Sequence, residues 1–194
     1  YGLAKEHLGE ELIPEVLFQS MEKLYIVLDS FISAFIKNAD DSGFQAKCTK
    51  GCAYCCQQAV YAQSHELKYL KHWMFENLKA EELETIRKKA KKKSKHMLAL
   101  SPEQGLLHKE ACPLLKNNLC SAYSARPFAC RIYLSSDLKS CIQEFNHPSA
   151  KFSFPKLYNL PFRAGQKLNE GFVSRLKELG MGIEELKMED GLRI

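Results

Sequence analysis

Four cysteines fall within nine residues, Cys48-Thr-Lys-Gly-Cys52-Ala-Tyr-Cys55-Cys56, and four more follow at Cys112, Cys120, Cys130 and Cys141. Thiols at this density are either oxidised to one another or bound to metal, and the redox compartment decides between the two. Eight is an even count, but a chain of 194 residues builds a core without covalent staples. The adjacent Cys55 and Cys56 do not bridge readily to each other. The start, Tyr1-Gly-Leu-Ala-Lys-Glu, has neither the basic nor the apolar stretch of an export signal. The expectation is therefore reduced thiols holding metal in the cytoplasm. Tyr1 in place of Met leaves the native N-terminus open.

Thiolate is a soft ligand that selects zinc or iron–sulfur clusters over hard cations. Cys52-x2-Cys55 alone is a common half-site. With Cys48 three sulfurs can converge from one loop, and Gly51 permits the tight turn. Cys56 is expected to point away from Cys55, so the two would serve different metals or different irons of one cluster. Four thiolates close a structural zinc site or a [4Fe–4S] cluster, and eight would close two. Cys141 also reads as a buried free thiol. Six histidines are present and none pairs with a cysteine at close zinc-type spacing. His108, four residues before Cys112, is the best alternative ligand, although a surface role is simpler.

The second half of the constellation runs Cys112-Pro113-Leu114-Leu115, then Cys120-Ser-Ala-Tyr123-Ser-Ala-Arg126-Pro127-Phe128-Ala129-Cys130-Arg131. Together with the Cys48 to Cys56 run, it resembles the YkgJ-type cysteine-cluster family of zinc- or iron-chelating domains. That family is related to the cysteine-rich region of flagellin lysine N-methylases. The resemblance covers roughly residues 44 to 145 and is highly specific. It implies that Cys48, Cys52, Cys55, Cys56, Cys112, Cys120 and Cys130 are metal ligands, with Cys141 as the eighth. It matches Tyr123, Arg126, Pro127 and Arg131 as well. Arg126 and Arg131 could donate to bound sulfur from just outside the site, or make ordinary salt bridges. Cys48-x3-Cys52-x2-Cys55 with Tyr54 also resembles the radical S-adenosylmethionine signature. Those enzymes need a parallel β/α barrel, and this chain lacks the alternating pattern.

The elements that must position these thiols read as helices around a loop-rich centre. Pro14 to Lys37 repeats apolar residues at helical spacing, and residues 38 to 43 end it. Ser64 caps a helix that carries Glu66 in its first turn and runs to Leu78. Ala80 to Leu98 forms another helix, ended by Ser101-Pro102. Residues 103 to 150 show little periodicity and need a metal for their order. Helix returns from Pro161 to a stop at Gly180, and a short last helix is expected over Ile183 to Met188. The expected architecture is a mainly α, helical single domain around a loop-rich cysteine metal-binding centre. Its parts are residues 1–43, 44–150 and 151–194.

Arg87 to Lys95 carries seven positive charges, so a net charge of +5 leaves the rest of the chain at −2. A solvated helix explains that run better than nucleic acid does. No apolar run approaches the ~20 residues of a membrane span. The expected cofactor is an iron–sulfur cluster, [4Fe–4S] first, or zinc. The metal or cluster is the expected partner, with a protein partner as a further one. The role expected is metal binding. The alternatives are an iron–sulfur oxidoreductase or electron carrier, a protein-lysine methyltransferase-like enzyme, and a structural zinc module for protein–protein interaction. Glu66 and the Phe31/Phe35 stripe read as structural.

Overall fold

The computed structural model describes residues 2–8, 12–43, 46, 48–150 and 154–193. The segment boundaries expected at 44 and 151 lie outside the described residues. The fold is mainly α, and no helix among the described residues is long and apolar enough to cross a membrane.

The long helix α2 (Pro14–Asp41) is the spine. Pro14 sits in its first turn, where a missing N–H costs nothing. Leu17, Met21, Leu24, Tyr25, Leu28 and Ile32 recur at helical spacing and are buried. Each such leucine or methionine stabilises the fold by roughly 2 kcal/mol on burial. The helix α1 (Gly2–Leu8), which the sequence pattern did not announce, packs on α2 and on α8 (Asn159–Glu178) through Ala4 and Leu8. Helix α8 begins two residues before Pro161, which occupies its first turn.

Helix α3 (Ser64–Asn77) follows strand β1 (Tyr61–Gln63) directly. Gln63, not Ser64, is its N-cap, and the Glu66 carboxylate accepts the Gln63 backbone N–H at 2.9 Å. Helix α4 (Ala80–Leu98) carries the lysine run. Ser101 then caps α5 (Pro102–Leu107), so the Ser101-Pro102 break starts a new helix as well as ending the old one.

The middle segment has more regular structure than its sequence periodicity promised. It holds strands β2 (Leu115–Lys116) and β3 (Leu119–Cys120), and helices α6 (Phe128–Arg131) and α7 (Leu138–Asn146). Strands β2 and β3 pair antiparallel, Leu115 opposite Cys120, across Asn117 and Asn118. Both asparagines have positive φ, 51° and 59°, as the tightest hairpin turn requires.

The helix expected over Ile183 to Met188 is mostly strand. Strand β4 (Glu185–Lys187) pairs antiparallel with β1, Tyr61 opposite Lys187. Helix α9 (Met188–Gly191) only begins where that expectation ended, and it packs on α4. The pairing partner lies over 120 residues upstream, so local helix-forming composition at Glu184-Glu185-Leu186-Lys187 misled. The sheets among the described residues are two-stranded and antiparallel. A parallel β/α barrel is not built from them.

Candidate metal centre

All eight cysteines are free thiols, seven of them half-buried and Cys141 buried. The cysteine run enters from α2, turns at Gly51 with φ +91°, and closes in a 3₁₀ turn over Cys55–Gln57. Only glycine adopts that φ without strain. The main chain then ties the two halves of the constellation together. The Cys112 N–H donates to the Cys56 carbonyl at 2.7 Å, and the Glu110 N–H donates to the Gln57 carbonyl at 2.8 Å. Cys112 and Cys120 flank the β2–β3 hairpin, and the Ser121 N–H closes it on the Leu114 carbonyl at 2.8 Å. Cys130 sits on α6, and Cys141 lies one turn into α7.

Backbone N–H groups already act on three of the sulfurs. The Ser135 N–H donates to Cys48 Sγ at 3.1 Å. The backbone N–H groups of Leu114 and Ala122, each two residues beyond a cysteine, favour the thiolates of Cys112 and Cys120. Such donors stabilise a thiolate and tune any metal it holds.

Six of the thiols are nonetheless pushed towards the protonated form. Burial, opposed by the Leu114 N–H, pushes Cys112 up to about 12. Burial also raises Cys48, Cys120 and Cys141, and raises Cys130 well above its usual range. The neighbouring thiols add to the rise at each. Cys55 donates its S–H to Cys56, which brings Cys56 down to about 7 and drives Cys55 up. That contact corrects the expectation that Cys55 and Cys56 point apart. A metal would have to displace these protons, and its charge would supply what the burial withholds. Among the described residues no three ligand side chains converge on one point, so single-ion binding needs the thiols to turn inward. The donor set fits zinc or an iron–sulfur cluster and suits no hard cation.

The cations are arranged on the side of Cys56, Cys112, Cys120 and Cys130. Arg131 is buried; it pairs with Asp29, donates to the Ser124 carbonyl, donates from Nε to the Arg126 carbonyl at 2.8 Å, and lies over the Tyr25 ring at 3.8 Å. Arg126 stacks on Tyr123 at 3.7 Å, donates to the Tyr123 carbonyl at 2.7 Å, and reaches Asp29 at 3.5 Å. Both arginines act electrostatically on Cys120. Of the two readings offered for them, the structure shows the salt bridge, and among the described residues neither guanidinium donates to a cysteine sulfur. Pro127 is the N-cap of α6. Its ring fixes the chain's entry into the helix that carries Cys130.

The sequence pattern missed Lys93. It was expected among the solvated lysines, but it is buried, and its Nζ donates to the Glu110 carbonyl at 2.8 Å. Among the described residues it has no carboxylate partner within ion-pair distance, and its charge acts on Cys56 and Cys112. Lys89 likewise donates to the Leu115 carbonyl at 2.9 Å, and Glu82 pairs with Lys116 at 3.0 Å, so α4 holds the hairpin at two points. A helical wheel centred on Ile86, Ala90 and Met97 places Lys93 beside that apolar stripe and could have found it. Glu66 was expected at a helix start and is there, but it reaches further. Its buried carboxylate also accepts the Phe128 N–H at 2.7 Å and the Tyr25 hydroxyl at 3.2 Å, anchoring α6 behind Cys130. His108 turns its ring to Glu110 at 3.2 Å.

A family model, CxxCxxCC, described as "Putative zinc- or iron-chelating domain", matches residues 47–151, more than half of the chain. The name spells two residues in the first gap, where this chain has three, Thr49, Lys50 and Gly51. No curated protein and no solved structure matches the chain.

Proposed function

We propose, because this chain belongs to the CxxCxxCC family of zinc- or iron-chelating domains, that its cysteines hold an iron–sulfur cluster, with zinc as the metal the same thiols take when iron and sulfide are scarce. The ligands are Cys48, Cys52, Cys55, Cys56, Cys112, Cys120, Cys130 and Cys141. The observation that carries the reading is the main-chain bond from the Cys112 N–H to the Cys56 carbonyl at 2.7 Å, which joins the two cysteine segments, with the Ser135 N–H donated to Cys48 Sγ at 3.1 Å, in a constellation free of histidine. Hydrogen bonds to sulfur and nearby cations are the levers by which a protein tunes such a cluster. Lys93, Arg126 and Arg131 offset the negative charge that four thiolates bring. A cluster at half-buried cysteines would supply one-electron chemistry within reach of solvent, which favours electron transfer over a purely structural role. The reducing cytoplasm keeps the thiols available.

The test is the metal content of Cys52→Ser and Cys130→Ser, prepared without oxygen. Both variants are expected to lose metal and melt at lower temperature, because metal-binding free energy is folding free energy at such a site. Unchanged metal content in both would remove the proposed ligand set.

A further inference from the structure

We infer that the eight thiols form two four-thiol sites, one from Cys48, Cys52, Cys55 and Cys141 and the other from Cys56, Cys112, Cys120 and Cys130. The inference rests on the metal-binding reading above and deepens it.

The second set is assembled by the main chain. The 2.7 Å bond from Cys112 N–H to the Cys56 carbonyl fixes those two residues side by side. The β2–β3 register puts Cys120 opposite Leu115, three residues after Cys112. The thiol neighbours that act on Cys130 are Cys112, Cys120 and Cys56.

The first set is assembled on a different segment. Cys48 accepts the Ser135 N–H at 3.1 Å and lies 3.9 Å from the Tyr133 and Ser135 carbonyls. Two residues later Asp137 caps α7, whose first full turn presents Cys141. The hydroxyls of Ser135 and Ser140 both donate to the Asp137 carbonyl, at 3.1 and 2.7 Å, and both favour the Cys141 thiolate. Cys52 is an electrostatic neighbour of Cys48 and of Cys141. The ring of Tyr54, between Cys52 and Cys55, packs edge-on against Phe145, one turn past Cys141, with centroids 5.6 Å apart.

Cys55 stands at the junction. It contacts Cys56, and both Cys130 and, more weakly, Cys48 act on it. Tyr133 lies close to both Cys55 and Cys141. The second set closes at four with Cys56, so the first takes Cys55 as its fourth ligand, and closed thiolate sites are four-coordinate. The surroundings differ too. Lys93, Arg126 and Arg131 act on the second set, whereas the Asp137 carboxylate and two hydroxyls act on the first. Positive charge favours the tetrathiolate, so the second set fills first.

Cobalt(II) added without oxygen to the fully reduced wild-type chain tests this, with the thiolate-to-cobalt absorption band as the readout. The band should grow through two equivalents per chain. Cys141→Ser and Cys48→Ser should each keep one tight equivalent and lose the other, and iron–sulfur reconstitution of either should give half the wild-type iron. Saturation of the wild type at one equivalent overturns the division while leaving metal binding intact. So does a Cys141→Ser chain that still binds two tightly. The wild-type stoichiometry stands even where a variant fails to fold. No thiolate band at all would sink both the division and the metal reading.

Discussion

At the scale of single residues, the thiols were legible from spacing because ligands converging from one loop must be close in sequence. Their environment was not. Lys93 looked solvated because six other cations crowd the same stretch, Arg87 to Lys95, and only packing picks out the buried one. Replacing it by methionine keeps its bulk and removes the charge beside Cys56 and Cys112. Lys93→Met should weaken metal binding about ten- to a hundredfold in a chelator competition, as loss of a supporting group does. Lys91→Met, on the exposed face, should leave the affinity unchanged; equal affinities for both variants would count against a role for Lys93. A second residue acts on the fold alone. His65 is fully buried, and neither ring nitrogen has a hydrogen-bond partner among the described residues. Burial, with Lys68 nearby, brings its pKa down to about 4. The folded chain therefore refuses a proton that the unfolded chain accepts below about 6.5. Stability is fully present above that pH and is lost as the pH falls towards 4, by at most roughly 3 kcal/mol. His65→Leu should flatten denaturant midpoints across that window, and a slope unchanged from wild type would contradict the assignment.

At the scale of elements, the long helices were readable because each buries a continuous apolar stripe. The short pieces were not, because their order comes from partners far away in sequence. Strand β4 is three residues long and exists because β1 lies beside it. The β2–β3 hairpin had one local signal, Asn117-Asn118 between Leu-Lys and Leu-Cys, and it went unread. Asn118→Val forces a β-branched residue to positive φ and should cost about 1–2 kcal/mol. The loss should appear as a lower melting temperature together with weaker metal binding, since the hairpin sets Cys112 against Cys120. A stable variant with intact metal affinity would mean the turn does not position the site. Gly165 tests the other side. A Cβ there would overlap Ile132, the residue that follows α6. Gly165→Ala should destabilise by about 1–3 kcal/mol through overpacking, measured by thermal melting.

At the scale of the whole molecule, helices from both ends of the chain close around a centre whose loops are held by hydrogen bonds, caps and buried cations. Helix α2 supplies Asp29 and Tyr25 behind Arg131, and α4 supplies Lys93 and Lys89. The mainly α class followed from periodicity, and the candidate ligand set was what the family resemblance implied. What neither could supply was the 3₁₀ turn, the hairpin and α7 on which the thiols are carried. Because metal binding at such a centre is also folding energy, stripping the metal should expose residues 48–150 to protease before the helical ends yield. Cleavage at the same sites and rates with and without metal would count against that coupling. The most direct measurement is elemental and sulfide analysis, with an absorption spectrum, of the chain purified without oxygen. The account predicts iron with acid-labile sulfide and a brown absorbance near ~400 nm that oxidation bleaches, or zinc without colour where no cluster was assembled. A folded chain carrying neither iron nor zinc would contradict it.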